Sequence, residues 1–376
     1  IEVAAFADQA WGEGVRALAQ RIGLEGRVEG GPAAGFKRLE AALATVPPQA
    51  KPLLGAIHAD WLHSYYQENR WQFSRRSSTG AEPGEDIETW DLARILAEVD
   101  QRFQAVLAEA PALQKEKAAD YSHLLTAGDP LGDALRPTLY DFICHQALGF
   151  YGSEEVAVSK PQDAFEIDAA ATPVFGPVEE FIAWQPQTTD TTSPKLRAVR
   201  IVQGLLAFHR GDAGRDAFLH CDLERLRWAE DAATGPELDK RRDAAFAAFI
   251  AAHGDHPLSA EARRDVAARL NEAGKFAEAH AMAKAGAEAF PEHPFGKLCR
   301  NMVMELEQRQ LGLVTESHWT PAGAEIAVHH RNINRVWFRA YTRTWNPAEV
   351  VRGGHALPQS SRETVLLRTT CRRAIM

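Results

Sequence analysis

The chain has 376 residues, a formal net charge of −9 and a pI near 5.9, which argues against a nucleic-acid partner, since phosphate contacts need a basic surface. Apolar residues make up 45% and charged residues 25%, the balance of an ordinary globular protein long enough for two or three domains. No apolar run reaches the roughly 18–20 residues that cross a bilayer, so no membrane-spanning segment is expected in this chain.

The chain opens at Ile1-Glu2-Val3, without an initiator Met or a signal-peptide pattern, and a trimmed start is expected. Residues 1–50 alternate Ala- and Gly-rich stretches, with a helix over 35–46 ending before Pro47-Pro48. Ile57, Trp61, Leu62 and Tyr65 recur at helical steps and predict a helix over 52–73, whose end is rich in aromatic and basic groups: Tyr65, Tyr66, Arg70, Trp71, Phe73, Arg75 and Arg76. Gly80, Pro83 and Gly84 mark a break. The strongest helical stripe follows: Leu92, Ile95, Leu96, Val99, Phe103, Val106 and Leu107, with Asp86 or Thr89 as the expected cap.

Pro137 is expected in the first turn of a further helix, where its missing N–H costs little, with Leu139, Phe142, Ile143, Ala147 and Phe150 as the buried stripe. Residues 152–190 hold several prolines and scattered aromatics and read as a long irregular connection, with a possible subdivision of the helical region there. Helices resume over 196–208, 214–228, 236–253, 260–273, 276–290 and 294–308, punctuated by Gly211, Gly235, Gly254, Pro257, Gly274, Pro291 and Pro294. The pair over 260–290 has the spacing of a tetratricopeptide unit, with small residues at Ala267 and Ala279, Gly274 in the turn and Pro291 after it. Gly286 stands where that pattern has alanine.

Near residue 311 the periodicity changes from helix to strand. Strands are predicted over 313–319, 324–330, 335–344 and 363–369, with Pro321-Ala322-Gly323 as the first turn. Ile326 and Val328, then Val336, Phe338 and Ala340, alternate on one face, as a half-buried antiparallel strand requires. Residues 311–376 number 66, fewer than the roughly 100 of a full sandwich, so a partial β-sandwich is expected. The division expected is a helical region at 1–310 and a β domain at 311–376.

Cys144, Cys221, Cys299 and Cys371 form no C-x-x-C pair, so no zinc motif is read and no cofactor or metal is expected. Cys144 and Cys299 read as buried thiols, while a Cys144–Cys221 disulfide stays open. His329 and His330 are adjacent on a strand and point to opposite faces; His253 and His256 read as a capped helix end. There is no G-x-S-x-G, Walker loop, G-x-G-x-x-G or H-E-x-x-H signature, and no catalytic residue is assigned. The Arg70, Trp71, Arg75, Arg76 group reads as arginine packed on aromatic faces, with Glu88, Asp91 and Asp141 as its partners. The run Arg136–Phe142 reads as a cap and hydrogen-bonding arrangement.

Three stretches then converge. Tyr65-Tyr66-Gln67-Glu68-Asn69-Arg70-Trp71-Gln72-Phe73 with Thr79, followed by Ile87-Glu88-Thr89-Trp90-Asp91, resembles the helical N-terminal region of large bacterial α2-macroglobulin-like proteins. Arg136-Pro137-Thr138-Leu139-Tyr140-Asp141-Phe142 is similar to a second signature of that region. Arg331-Asn332-Ile333-Asn334-Arg335-Val336-Trp337-Phe338-Arg339-Ala340-Tyr341 resembles the opening strands of their first macroglobulin-like β-sandwich, with Asn332, Val336, Phe338 and Tyr341 as its marks.

The resemblance implies a mainly α, TPR-like helical array followed by part of an antiparallel macroglobulin-like sandwich. It implies a structural aromatic and arginine cluster of Tyr65, Arg70, Trp71, Phe73, Trp90, Asp91, Arg136, Tyr140 and Asp141. It also implies a periplasmic or cell-envelope protein that traps proteases, its helical region free to meet other envelope proteins. No Gly-Cys-Gly-Glu-Gln thioester stretch occurs here, so no reactive residue of that family is carried over. Two other readings stand beside it: a free-standing helical-repeat binding module, and a hydrolase using the carboxylates of 152–190.

Overall fold

The computed structural model describes residues 1–28, 31–75, 87–122, 131–153, 164–315 and 326–337. The chain divides into two compact units, Ile1–Ala252 and His253–Met376. The described residues form a mainly helical array with two small sheets of two strands each.

The first unit opens with α1 (Glu2–Ala7), α2 (Trp11–Val28) and α3 (Gly31–Thr45), where only one helix, over 35–46, is expected from sequence. Val15, Leu18, Ala19 and Ile22 of α2 are buried at i, i+3, i+4 and i+7, a stripe obscured in the sequence by the surrounding glycines. The long helix α4 (Lys51–Arg75) departs from helical geometry at Asn69 (φ −113°, ψ 15°), whose side-chain amide donates to the Tyr65 carbonyl at 2.9 Å. A side chain that bonds its own backbone competes with the helical ladder and bends it there.

Helix α5 (Leu92–Leu107) packs on α4 through Ile95, Val99, Phe103 and Val106. Its cap is Asp91, which accepts from the Arg94 N–H at 2.8 Å. Thr89 instead belongs to a 3₁₀ turn at Ile87–Thr89, and Asp86 lies outside the described residues. Short helices α6 (Ala110–Leu113) and α7 (Gly132–Leu135) precede α8 (Leu139–Tyr151). Pro137 is not in the first turn of α8. Thr138 is the N-cap, its hydroxyl accepting from the Asp141 N–H while the Asp141 carboxylate accepts from the Thr138 N–H, and this reciprocal box fixes the start after Pro137.

The described part of the irregular connection carries β1 (Ile167–Asp168), a 3₁₀ turn at Pro173–Phe175 and α9 (Val178–Ala183). Helices α10 (Pro194–His209) and α11 (Asp216–Ala232) follow, then β2 (Ala233–Thr234) and α12 (Leu238–Ala252). β1 pairs in parallel with β2, Ile167 opposite Ala233, which ties the connection to the end of α11. Arg225, 3% exposed on α11, completes the tie. Its guanidinium donates to the carbonyls of Val174 (2.7 Å) and Gly176 (3.1 Å), pairs with Asp222 at 2.8 Å and lies 5.2 Å from the Phe181 ring centroid.

The second unit holds α13 (Leu258–Glu272), α14 (Phe276–Ala289) and α15 (Pro294–Glu307), mutually packed, then β3 (Gln310–Thr315) and β4 (Ile326–Arg331). Ala267 and Ala279 are fully buried and Gly274 turns with φ +73°. Gly286 departs from alanine for a reason: a Cβ there would stand 2.6 Å from the Cys299 Sγ of α15. The start of α13 repeats at α15. His256 Nδ1 accepts from the Leu258 N–H and His293 Nδ1 from the Phe295 N–H, each at 3.3 Å, with Pro257 and Pro294 between. The two His-Pro pairs lie 37 positions apart (293 − 256), so α15 occupies the place of a second repeat's first helix, and β3 follows where its partner helix would come.

β3 and β4 are antiparallel, with Leu313 opposite Val328 and Thr315 opposite Ile326. Ile326 and Val328 are half-buried while Ala327 and His329 are exposed, the expected alternation. His329 and His330 face Gly312 and Leu311 respectively, on opposite faces. The ribbon is tied to α15 by Asn332, in left-handed conformation (φ 57°), whose amide donates to the carbonyls of Leu306 (2.6 Å) and Gln308 (3.0 Å). Arg331 donates to the Glu305 carbonyl at 3.2 Å and lies 5.0 Å from the Phe276 ring centroid. Residues 335–337 of the predicted third strand are irregular; the rest of it, with Phe338 and Tyr341, lies outside the described residues, as do the predicted strand over 363–369 and Cys371.

Candidate functional site: a buried Asp-His-Cys node

Of the residues expected to form one aromatic and arginine cluster, Tyr65 and Phe73 meet, and Arg136, Tyr140 and Asp141 gather elsewhere. Tyr65 packs edge-on against Phe36 (5.5 Å) and Phe73 (5.9 Å), while Trp71 is 76% exposed. Trp90 lies under the Arg94 guanidinium at 5.1 Å, and Asp91 caps α5. Arg70 stands on α4 beyond the Asn69 kink. Arg136, Tyr140 and Asp141 gather instead where α8, α10 and α11 pack together.

Asp141, the third residue of α8, is fully buried, and His209, the last of α10, is 1% exposed. Asp141 Oδ1 and His209 Nε2 are 2.6 Å apart. The other carboxylate oxygen accepts from the Thr138 N–H (2.9 Å) and hydroxyl (2.7 Å). His209 Nδ1 bonds Asp212, in the α10–α11 connection, at 2.7 Å. Burial by itself opposes both charges. The hydrogen bonds and attraction between Asp141 and His209, helped by Thr138 and Asp212, outweigh it, so the carboxyl pKa is lowered and the imidazole pKa raised. Asp141 therefore serves His209 and Thr138, and not the arginines of α4 expected from sequence.

Cys221 of α11 closes the node: its sulfur, Asp141 and His209 present donor atoms all within 4.8 Å of one another. Burial, with Asp141 and Cys144 nearby, pushes the Cys221 thiol well up. Cys144, Cys221 and Cys299 are all free and buried. Cysteine, histidine and aspartate match a nucleophilic triad in composition, but the wiring is wrong for it. Both His209 nitrogens face carboxylates, leaving none to take a proton from the thiol, and Cys221 is 2% exposed.

Beside the node His145 and His220 stack at 5.7 Å with planes 15° apart. Burial above all, reinforced by Arg136 for His145, holds both pKa values down, that of His220 to about 4. Arg136 Nε donates to His220 Nε2 at 3.3 Å, and His145 Nδ1 donates to the Asp141 carbonyl at 2.8 Å. Tyr140 packs edge-on to Phe208 at 5.7 Å, and burial raises its phenol pKa.

Three carboxylates of the 164–190 connection make local bonds. Asp168 accepts from the N–H groups of Ala170 (2.7 Å) and Ala171 (2.9 Å), Asp190 accepts from the Phe165 N–H (3.1 Å), and Glu166 pairs with Lys195. An open cleft of about 810 Å³ lies there, lined by Phe165, Glu166, Thr172, Trp184 and Gln187 among others.

Sequence reasoning reached Asp141, within the cap read over Arg136–Phe142, and missed His209, Asp212, His220 and Cys221 as its neighbours. Their separations of 68 and 12 positions (209 − 141, 221 − 209) match no ligand or catalytic motif. No family model, curated protein or solved structure matches the chain. No described helix is long and apolar enough to cross a membrane.

Proposed function

We propose that this chain is the non-catalytic scaffold of a bacterial α2-macroglobulin-like endopeptidase inhibitor, acting in the periplasm or cell envelope. In this reading proteases are the partners of the whole inhibitor, and the helical region docks it to other envelope proteins. What carries the reading is the place of the resembling residues: they sit at joints. Thr138 and Asp141 of the second stretch fix the start of α8 and join it to α10. Asn332 of the third holds the β3–β4 ribbon to the end of α15. Such positions suit a framework that holds domains in register, and the node's wiring offers no free nucleophile.

A two-stranded ribbon is marginal alone, and this one leaves Leu311 50% and Leu313 58% exposed on one face. That supports an incomplete sheet belonging to a macroglobulin-like sandwich. The second reading, a free-standing helical-repeat binding module, draws on the α13–α15 packing and its repeated His-Pro start.

The test compares the full-length gene product with residues 1–376 alone. The full-length protein should block digestion of a folded protein substrate by added endopeptidases, while residues 1–376 should neither cleave nor inhibit. Unimpeded digestion across several protease classes removes the inhibitor reading. Retention of an envelope protein by residues 1–376 in that case favours the binding module.

A further inference from the structure

We propose that Asp141, His209 and Cys221 form a buried site for one zinc-class divalent ion, with Asp212 as the outer carboxylate that aims the histidine. Such a site is independent of the protease-inhibitor reading. Its donor set is one carboxylate oxygen, one imidazole nitrogen and one sulfur, drawn from α8, α10 and α11, all within 4.8 Å of one another. A tetrahedral ion with bonds of about 2.0 Å to oxygen and nitrogen and about 2.3 Å to sulfur places its donors roughly 3.3–3.6 Å apart. The Asp141–His209 separation of 2.6 Å must therefore open by about 0.7 Å, and the sulfur must close by no more than about 1.5 Å. Shifts of that size lie within side-chain rotation.

The surroundings are those of a ligand set. Histidines that bind metal through one nitrogen almost always give the other N–H to a carboxylate or carbonyl, which fixes the tautomer. His209 Nδ1 has Asp212 at 2.7 Å in that role, leaving Nε2 directed at Asp141. Asp141 is held likewise, its second oxygen receiving Thr138 N–H and hydroxyl bonds at 2.9 and 2.7 Å. With the ion bound, a divalent charge meets one carboxylate and one thiolate and the buried inner shell is neutral. The mixed oxygen, nitrogen and sulfur set favours zinc or cobalt over magnesium or calcium.

Binding is balanced by proton release. His209 gives up the Nε2 proton that bridges to Asp141, Cys221 gives up its thiol proton, and two protons leave for each ion taken up. A water completes the fourth position and leaves the charge and proton balance unchanged. Because the three ligands stand on three helices, the ion clamps the centre of the first unit.

The experiment uses the whole chain, reduced and stripped with chelator, then titrated with Co²⁺ and with Zn²⁺. One equivalent of Co²⁺ should bind and give a thiolate-to-cobalt charge-transfer band, and Zn²⁺ should displace it and raise the thermal midpoint. Cys221→Ser should lose the band, Cys299→Ser should keep it, and Asp212→Asn should weaken affinity about 10–100-fold. Alkylation under mild denaturant, read by mass spectrometry, should show Cys221 protected by Zn²⁺. Absence of the band in the unmutated chain overturns the proposal, whatever the variants do. So does an unchanged band in Cys221→Ser, or a Cys221 alkylated equally with and without Zn²⁺.

Discussion

Acid should unfold this protein partly through His58. On α4, His58 is 3% exposed, its ring 6.1 Å from that of Phe36, and its Nδ1 has no hydrogen-bond partner. Burial first, and the Arg102 guanidinium second, hold its pKa down to about 4, against a small opposing pull from Glu40. The folded state therefore refuses a proton that the unfolded chain accepts near 6.5. Above that pH both states are neutral and stability is unaffected. Between 6.5 and 4 the unfolded state is protonated and the folded state is not, so stability falls with pH; below 4 both are charged and the loss levels off. Linkage between the two pKa values gives a loss of about 2 kcal/mol at pH 5 and about 3 kcal/mol at pH 4, relative to pH 7. Urea unfolding of the native chain and His58→Leu, followed by tryptophan fluorescence at pH 7, 5 and 4, isolates the contribution, because His145 and His220 titrate in both. His58→Leu should lose less stability on acidification by those amounts. Equal losses in the two proteins would refute the assignment of a depressed pKa to His58.

Arg225→Leu removes the bonds to Val174 and Gly176 and strands Asp222, 7% exposed, without its partner. It should cost about 3–5 kcal/mol in urea unfolding, and a loss under about 1 kcal/mol would mean the pair contributes little. Gly296→Ala drives a Cβ to 1.8 Å from the Phe290 carbonyl oxygen, which backbone cannot yield. We expect about 3 kcal/mol or more of destabilisation, with Gly286→Ala milder because its clash is with the Cys299 side chain; the reverse order of thermal midpoints contradicts the packing described. Asn332→Ala should cost about 1–2 kcal/mol by freeing the Leu306 and Gln308 carbonyls. Hydrogen exchange in the last turn of α15 should rise equally in Asn332→Gly, which relieves the left-handed backbone but does not restore the bonds.

Helices were legible wherever one face of the chain carried its apolar residues at helical steps, as in α5, or where proline and glycine bracketed them, as in α10 to α15. The first two helices were not, because α2 spaces its buried residues among glycines that read as breakers until packing offsets their cost. Helix starts shifted where side-chain chemistry decided: Asp91 caps α5 where Asp86 or Thr89 was expected, and Thr138 displaces Pro137 at α8. The change from helix to strand near 310 was visible because the side-chain period falls from 3.6 to 2 there.

The sequence alone determined the helices whose apolar stripe or Pro and Gly brackets are local, α4, α5, α8 and α10 to α15, and that an antiparallel pair follows them, since these depend on residues within a turn or two of each other. It also marked the Arg136–Phe142 run as a cap, and the reciprocal bonds of Thr138 and Asp141 show where in that run the cap lies. What stands against Asp141 was decided by the tertiary structure. His209 and Cys221 reach it because α10 and α11 fold back across α8, and residues 68 and 80 positions away carry no periodic trace of that meeting (209 − 141, 221 − 141). Gly286 shows the same division. The sequence marks it as an exception to its repeat, and only the approach of Cys299 from α15 gives the physical reason: there is no room for a methyl group.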